Sequence, residues 1–234
     1  MSADLADALN GVDWNKNRDS FVSNGALVDS VHTSILRVAI WARELELIDG
    51  GNIALPFVRE MQHGSHNVAK CFALALYKPA AASMRSMLEC ALYYTYFRSH
   101  PAELGTLVRD DKFYISKKDV LEFYKKHVPG YALRQSSLNL SDALDKWYSR
   151  TSAIVHGQIP GDWKSTLELE DTLHESAISA EVAAHFEQCS KIISDLFLCV
   201  LGAEAWRYMS TPSKCYFTKG VAPEVRLALG LDKA

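Results

Sequence analysis

"YKPAAASMRSMLECALYYTYFRSHPAEL", residues 77–104, carries helix signals at its two prolines and along its length. Pro79 and Pro101 each suit the first position of a helix, where the missing N–H would have found no intrahelical partner anyway. Between them the apolar residues return at three- and four-residue steps, so the stretch predicts helices over 79–98 and 101–108. Inside it Arg85 and Glu89 stand among Met84, Met87, Leu88 and Leu92. Charges in apolar surroundings need partners, and the four-residue spacing lets these two pair with each other, although arginine ahead of glutamate is the weaker order on a helix. A pair that fixes helix register and a pair that orients a reacting group leave the same trace in sequence.

The same periodicity continues on both sides. Helices are expected near 24–48, 52–77, 117–128, 139–156 and 176–208, and strand-like alternation is scarce. Ser116 and Asp119 in "SKKD" form a capping box, and Pro129-Gly130 closes the helix that follows. Turns as short as "IDGGN" and "YKP" join neighbouring helices side by side. The fold class is therefore all-α, an antiparallel helical bundle over 1–208 with an N-terminal lead-in, and 176–208 is long enough to run its full length. Residues 209–234 read as a short C-terminal extension packed on the bundle. No internal repeat stands out.

A chain of 234 residues with 48% hydrophobic and 23% charged residues can bury one large core and is expected to fold alone. Its net charge of −3 makes it a poor general polyanion binder, so nucleic acid would need a local patch. The start, "MSADLADALNGVDWN", is acidic and lacks the apolar core of a secretory signal, which points to the cytoplasm. The best apolar run, "IISDLFLCVLGAEAW", is broken by Asp195 and Glu204, so no membrane role is expected. The five cysteines form no CxxC and read as reduced residues, most of them in apolar helical pattern.

Charge is unevenly spread. Between Lys112 and Arg134 six lysines or arginines face only Asp119 and Glu122, with Phe113, Tyr114, Phe123, Tyr124 and Tyr131 interleaved. Lys117, Lys118, Lys125, Lys126 and Arg134 are accordingly the candidate nucleic-acid-binding residues. From Asp162 to Glu187 seven acids accompany one lysine, a composition suited to a basic partner. Both stretches also fit the solvated faces of amphipathic helices.

"WYSRTSAIVHGQIPGDW", residues 147–163, sets Arg150 six positions before His156, ahead of a glycine that stops the helix. Six positions are about 240° and about 9 Å, so the two side chains do not stack on one another. The helix C-terminus favours positive charge, which suits a histidine that exchanges protons. Arg59 stands seven positions before His66 and also fits an Arg-x(4–6)-His pattern. Glu60 and His63 have the spacing of a di-iron ligand pair, but neither Asp171 with His174 nor Glu181 with His185 completes a second one, and no metal or cofactor is expected.

Residues 77–104 followed some fifty positions later by "WYSRTSAIVHG" resemble HEPN-like helical domains, including bacterial families linked to defence. The resemblance spans roughly 50–205. It implies a metal-independent endoribonuclease, a toxin or phage-defence effector, whose site forms at a homodimer interface and whose partners include RNA and an antitoxin or other protein. By that resemblance Arg150 and His156 are the catalytic pair, with Glu89 and Arg85 on the preceding helix as polar neighbours and Glu89 orienting the pair. Thr151 departs from the Asn, Asp or His that commonly follows the arginine. The alternative is a non-catalytic helical interaction module that binds a protein or a ligand on the same scaffold.

Overall fold

The stripe formed by Met84, Met87, Leu88, Ala91 and Leu92 is fully buried, and the rest of the chain is arranged around it. The computed structural model describes residues 2–164 and 166–231. In order these form α1 (Ser2–Gly11), α2 (Trp14–Ser23), α3 (Gly25–Ile48), α4 (Leu55–Ala73), α5 (Tyr77–Phe97), α6 (Pro101–Arg109), α7 (Lys117–His127), α8 (Tyr131–Ser137), α9 (Leu140–Val155), a 3-10 turn (Leu169–Asp171), α10 (Ser176–Tyr208), α11 (Thr211–Thr218) and α12 (Pro223–Leu229). No strand occurs among the described residues, and no helix is long and apolar enough to cross a membrane.

Five long helices make the body. Phe57 meets Phe97 while Gly64 lies against Met87 and Ser83, so α4 runs against α5. A Cβ on Gly64 would fall 2.5 Å from the Met87 side chain, which is why the two helices approach so closely there. The expectation of antiparallel neighbours holds for α4 with α5, but α10 runs in the same direction as both α3 and α5. Arg37 and Trp41 of α3 donate to Ser190 and Ser194 of α10, and Tyr77 and Tyr94 of α5 meet Ser179 and Phe197 of α10. α6 to α8 connect the end of α5 to the start of α9. From there α9 returns antiparallel to both α5 and α10, with Tyr148 beside Glu89 and Trp147 beside His185.

Local signals act as the sequence suggests. Ser116 and Asp119 form the reciprocal capping box at the start of α7, and Pro101 opens α6. α10 differs from expectation: it breaks at Gly202, whose φ of 56° and ψ of −151° are not helical. A positive φ of this kind is tolerated by glycine. The break frees the carbonyl of Cys199, which accepts a 2.7 Å hydrogen bond from Arg134 Nε. The C-terminal residues pack on the bundle through Phe217 stacked on Trp41 at 4.5 Å and Trp206 donating to the Leu231 carbonyl. Glu44, almost wholly buried on α3, accepts hydrogen bonds from the backbone N–H and hydroxyl of Ser210 and from the hydroxyl of Ser213, fastening the start of α11.

Candidate functional site

α9 sends its side chains to two different neighbours. Tyr148 and Arg150 are two positions apart, about 200° around the helix, so Tyr148 faces α5 and Arg150 faces α10. His156 caps the C-terminus of α9, with its backbone N–H on the Ser152 carbonyl at 2.9 Å and Gly157 turning the chain at φ 64°. From that position its ring reaches the α5 side. The guanidinium beside it belongs to Arg85, and Arg150 lies on the other flank.

Arg85 is the hub of this cluster. Its Nε donates to Glu89 Oε1 at 3.0 Å, its Nη2 to the Tyr148 hydroxyl at 3.1 Å, and its Nη1 lies 2.8 Å from His156 Nε2. A guanidinium can only donate, so His156 Nε2 must accept and its proton sits on Nδ1 while this contact stands. Tyr148 in turn donates to Glu89 Oε1 at 2.8 Å. Burial alone would lower the Arg85 pKa, but its hydrogen bonds to Glu89 and Tyr148 outweigh that and hold it above the ordinary value. Burial and then Glu89 push the Tyr148 phenol up, so it remains a neutral donor. Lys117, at the start of α7, sits over the Tyr148 ring at 4.7 Å and pairs with Asp145 at 2.6 Å. The result is two cations, two carboxylates, a phenol and an exposed imidazole gathered from α5, α7 and α9 with its C-cap.

Arg150 and His156, the pair the resemblance implies, lie apart within the chain, as their spacing on α9 predicts. Arg150 Nη2 is bound to Glu181 Oε1, with Asp162 Oδ2 at 3.5 Å. Both acceptors come from the acidic segment 162–187, so part of that segment's charge is spent inside the fold. Thr151 is fully buried, and its hydroxyl donates to the Trp147 carbonyl and accepts from His185 Nε2, each at 2.7 Å. His185 stacks on Trp147 at 4.9 Å and meets the edge of Trp163 at 5.2 Å. Burial first, and the Arg150 charge second, push its pKa down to about 4. Sequence reasoning placed His185 only as an unsuccessful metal partner of Glu181 and did not single out Tyr148. Its two-residue offset from Arg150 was a usable signal, because it fixes opposite faces.

The nucleic-acid candidates also divide. Lys118 and Lys126 are exposed, Lys125 is paired with Glu122 at 2.8 Å, and Lys117 belongs to the cluster just described. Lys125 first, then Lys126 and Lys118, hold the Glu122 carboxyl below its usual range. Arg134 does not join this surface: it is turned inward onto the break in α10, because the freed carbonyl of Cys199 is a better acceptor than solvent at that depth. Tyr124 and Tyr131 are buried in the core and cannot stack on bases, whereas Tyr114 is exposed. Arg59 makes a two-pronged contact with Glu46, and Glu60 and His63 are exposed on α4 at 4.0 Å. Among the described residues no three His, Cys, Asp or Glu side chains gather as a metal site.

No protein-family model, no curated protein and no solved structure matches this chain.

Proposed function

We propose that the Arg85–His156 cluster is the site of a metal-independent endoribonuclease. The observation that carries this reading is the 2.8 Å contact between a guanidinium and an exposed imidazole. Arg85 is also held in orientation by Glu89 and Tyr148. An incoming phosphodiester would take the Arg85 Nη1 donor for its phosphoryl oxygens, which releases His156 Nε2 as a base for the ribose 2′-hydroxyl. The 2′-oxygen then attacks phosphorus while His156 Nε2 holds its proton, and the 5′-oxygen leaves with a proton taken from water, giving a 2′,3′-cyclic phosphate and a 5′-hydroxyl. Lys117 is already paired with Asp145, so the exposed Lys118 next to it is the residue at the start of α7 that would add positive charge to draw a polyanion. A homodimer paired across the exposed His156 edge would set two such clusters about one strand.

One observation favours a second reading, a non-catalytic module that binds a protein or ligand: Arg150 is occupied by two carboxylates and Thr151 is sealed in the core. The experiment that separates the readings is cleavage of labelled RNA in excess chelator. In the first reading His156→Ala lowers the rate at least about 100-fold, Arg85→Lys lowers it without loss of fold, and Arg150→Gln has a small effect. Absence of cleavage by pure, dimeric wild-type protein, or cleavage that survives in His156→Ala, overturns it.

A further inference from the structure

An elongated trough crosses the outer side of α10, away from the Arg85–His156 cluster. Its first half is a cleft of about 380 Å³ in the seam between α3, α10 and the C-terminal extension, floored by Leu198, Phe217 and Leu229. The second half, about 420 Å³, lies between α9 and α10 over Ala143, Trp147 and Ile192. Leu138, Lys191 and Asp195 line both halves, so the two adjoin across the Lys191–Asp195 pair. The α10 residues that line it extend from His185 to Leu198, a rise of about 20 Å along the helix axis.

The charges on its rim are lopsided. Arg37 and Lys219 stand at one end, Lys146 and Arg150 at the other, and Lys191 in the middle, while Asp195 is the one acid lining it among the described residues. Asp195 is already held by Lys191 at 2.6 Å, Lys146 by Asp142 at 2.9 Å, and Arg150 by Glu181. Neither Arg37 nor Lys219 makes a salt bridge among the described residues; Arg37 gives Nη1 to the Ser190 hydroxyl and keeps its other donors. Arg37, whose charge already acts on Asp195, and Lys219 therefore stand at one end of the floor with no salt bridge of their own.

We propose that the trough binds an anionic amphiphile, a long-chain alkyl carboxylate. Its head lies between Arg37 and Lys219, and its chain runs across Leu138 toward Trp147 and Ile192. The charge at one end selects the head, since an ion pair with a guanidinium is both electrostatic and hydrogen-bonded. The length and apolar character of the floor select the chain. A peptide fits less well, because its backbone N–H and C=O groups would meet apolar side chains and lose their partners. The inference does not depend on the ribonuclease reading, and its site shares no residue with the cluster proposed for that chemistry.

The test is calorimetric titration of the full chain with hexanoate, octanoate, decanoate and dodecanoate below their micellar concentrations. One-to-one binding is expected, tightening by about two- to fourfold for each added methylene. Dodecyltrimethylammonium should bind at least about tenfold more weakly than dodecanoate. Arg37→Gln combined with Lys219→Gln should weaken dodecanoate by about tenfold at an unchanged melting temperature. Ala143→Phe fills the far half, so it should abolish the gain beyond octanoate and leave octanoate itself unaffected. The proposal is overturned by an absence of saturable dodecanoate binding, by equal binding of the cationic amphiphile, or by wild-type affinity in the folded double variant. An Ala143→Phe protein that fails to fold leaves the charge variant and the cationic control to decide.

Discussion

Acidifying the protein from pH 7 to pH 4.5 should weaken it in a way that one histidine accounts for. His185 is 6% exposed, lies between Trp147 and Trp163, and gives its Nε2 proton to Thr151. The Thr151 hydroxyl has a single proton and spends it on the Trp147 carbonyl, so the imidazole must be the donor in that contact. A second ring proton would place an unpaired charge among aromatic rings. The folded pKa of about 4 lies below the ordinary 6.5, and between those values the unfolded chain binds the proton that the folded chain refuses. The contribution is fully present above pH 6.5 and is lost as pH falls toward 4. The shift corresponds to about 3 kcal/mol in all, of which about 2.5 kcal/mol falls between pH 7 and pH 4.5. Urea unfolding of wild type and His185→Gln at both pH values measures it. The variant is expected to be less stable at pH 7 and to lose about 2.5 kcal/mol less on acidification. Equal losses in the two proteins, or an imidazole that titrates above pH 6 by NMR, would refute the argument.

Four further outcomes can be measured. Glu44→Gln should destabilise the protein by about 1–3 kcal/mol and increase proteolysis within 209–231, because the carboxylate accepts three hydrogen bonds at the start of α11. Gly64→Ala should cost about 1–3 kcal/mol in thermal unfolding, since its Cβ meets Met87 at 2.5 Å, and Met87→Ala in the same chain should recover part of that loss. Arg134→Met should lower stability by about 1–2 kcal/mol by stranding the Cys199 carbonyl while leaving RNA affinity unchanged, whereas reversing the charges of Lys118 and Lys126 should reduce RNA affinity and flatten its salt dependence at constant stability. An Arg134→Met protein that loses RNA affinity but keeps its stability would return that arginine to the surface.

Most of the helices were legible because the information that makes them is local. Pro101, the Ser116–Asp119 box and the apolar stripes at 79–98, 139–156 and 176–208 act through groups within a turn of each other, and the corresponding helices begin and end within a few residues of the expected positions. The short α8, α11 and α12 were not separated from their surroundings, because helices of seven or eight residues derive little from their own pattern and depend on what they pack against. The break in α10 was hidden for a related reason. Gly202 sits in an otherwise continuous apolar helix pattern, and whether a glycine in such a pattern bends the chain depends on a partner for the freed carbonyl, here Arg134 from another helix.

The candidate site shows the division more sharply. Sequence alone determined that Arg150 and His156 lie on different flanks of one helix, since rise and twist per residue are constants of the α-helix. It also determined that Arg85 and Glu89 can pair. Which guanidinium His156 meets was decided only when α5 came to lie against α9 and α10 against the opposite face, packing in which Met84, Met87, Trp147 and Phe186 are buried. The same packing turned Tyr124, Tyr131 and Arg134 inward and left Lys118 and Lys126 in solvent, although all five belong to one basic, aromatic stretch of sequence. Helix periodicity says which residues share a face. Only the neighbour that covers the face decides whether a charged or aromatic side chain on it meets water, a carboxylate or the core.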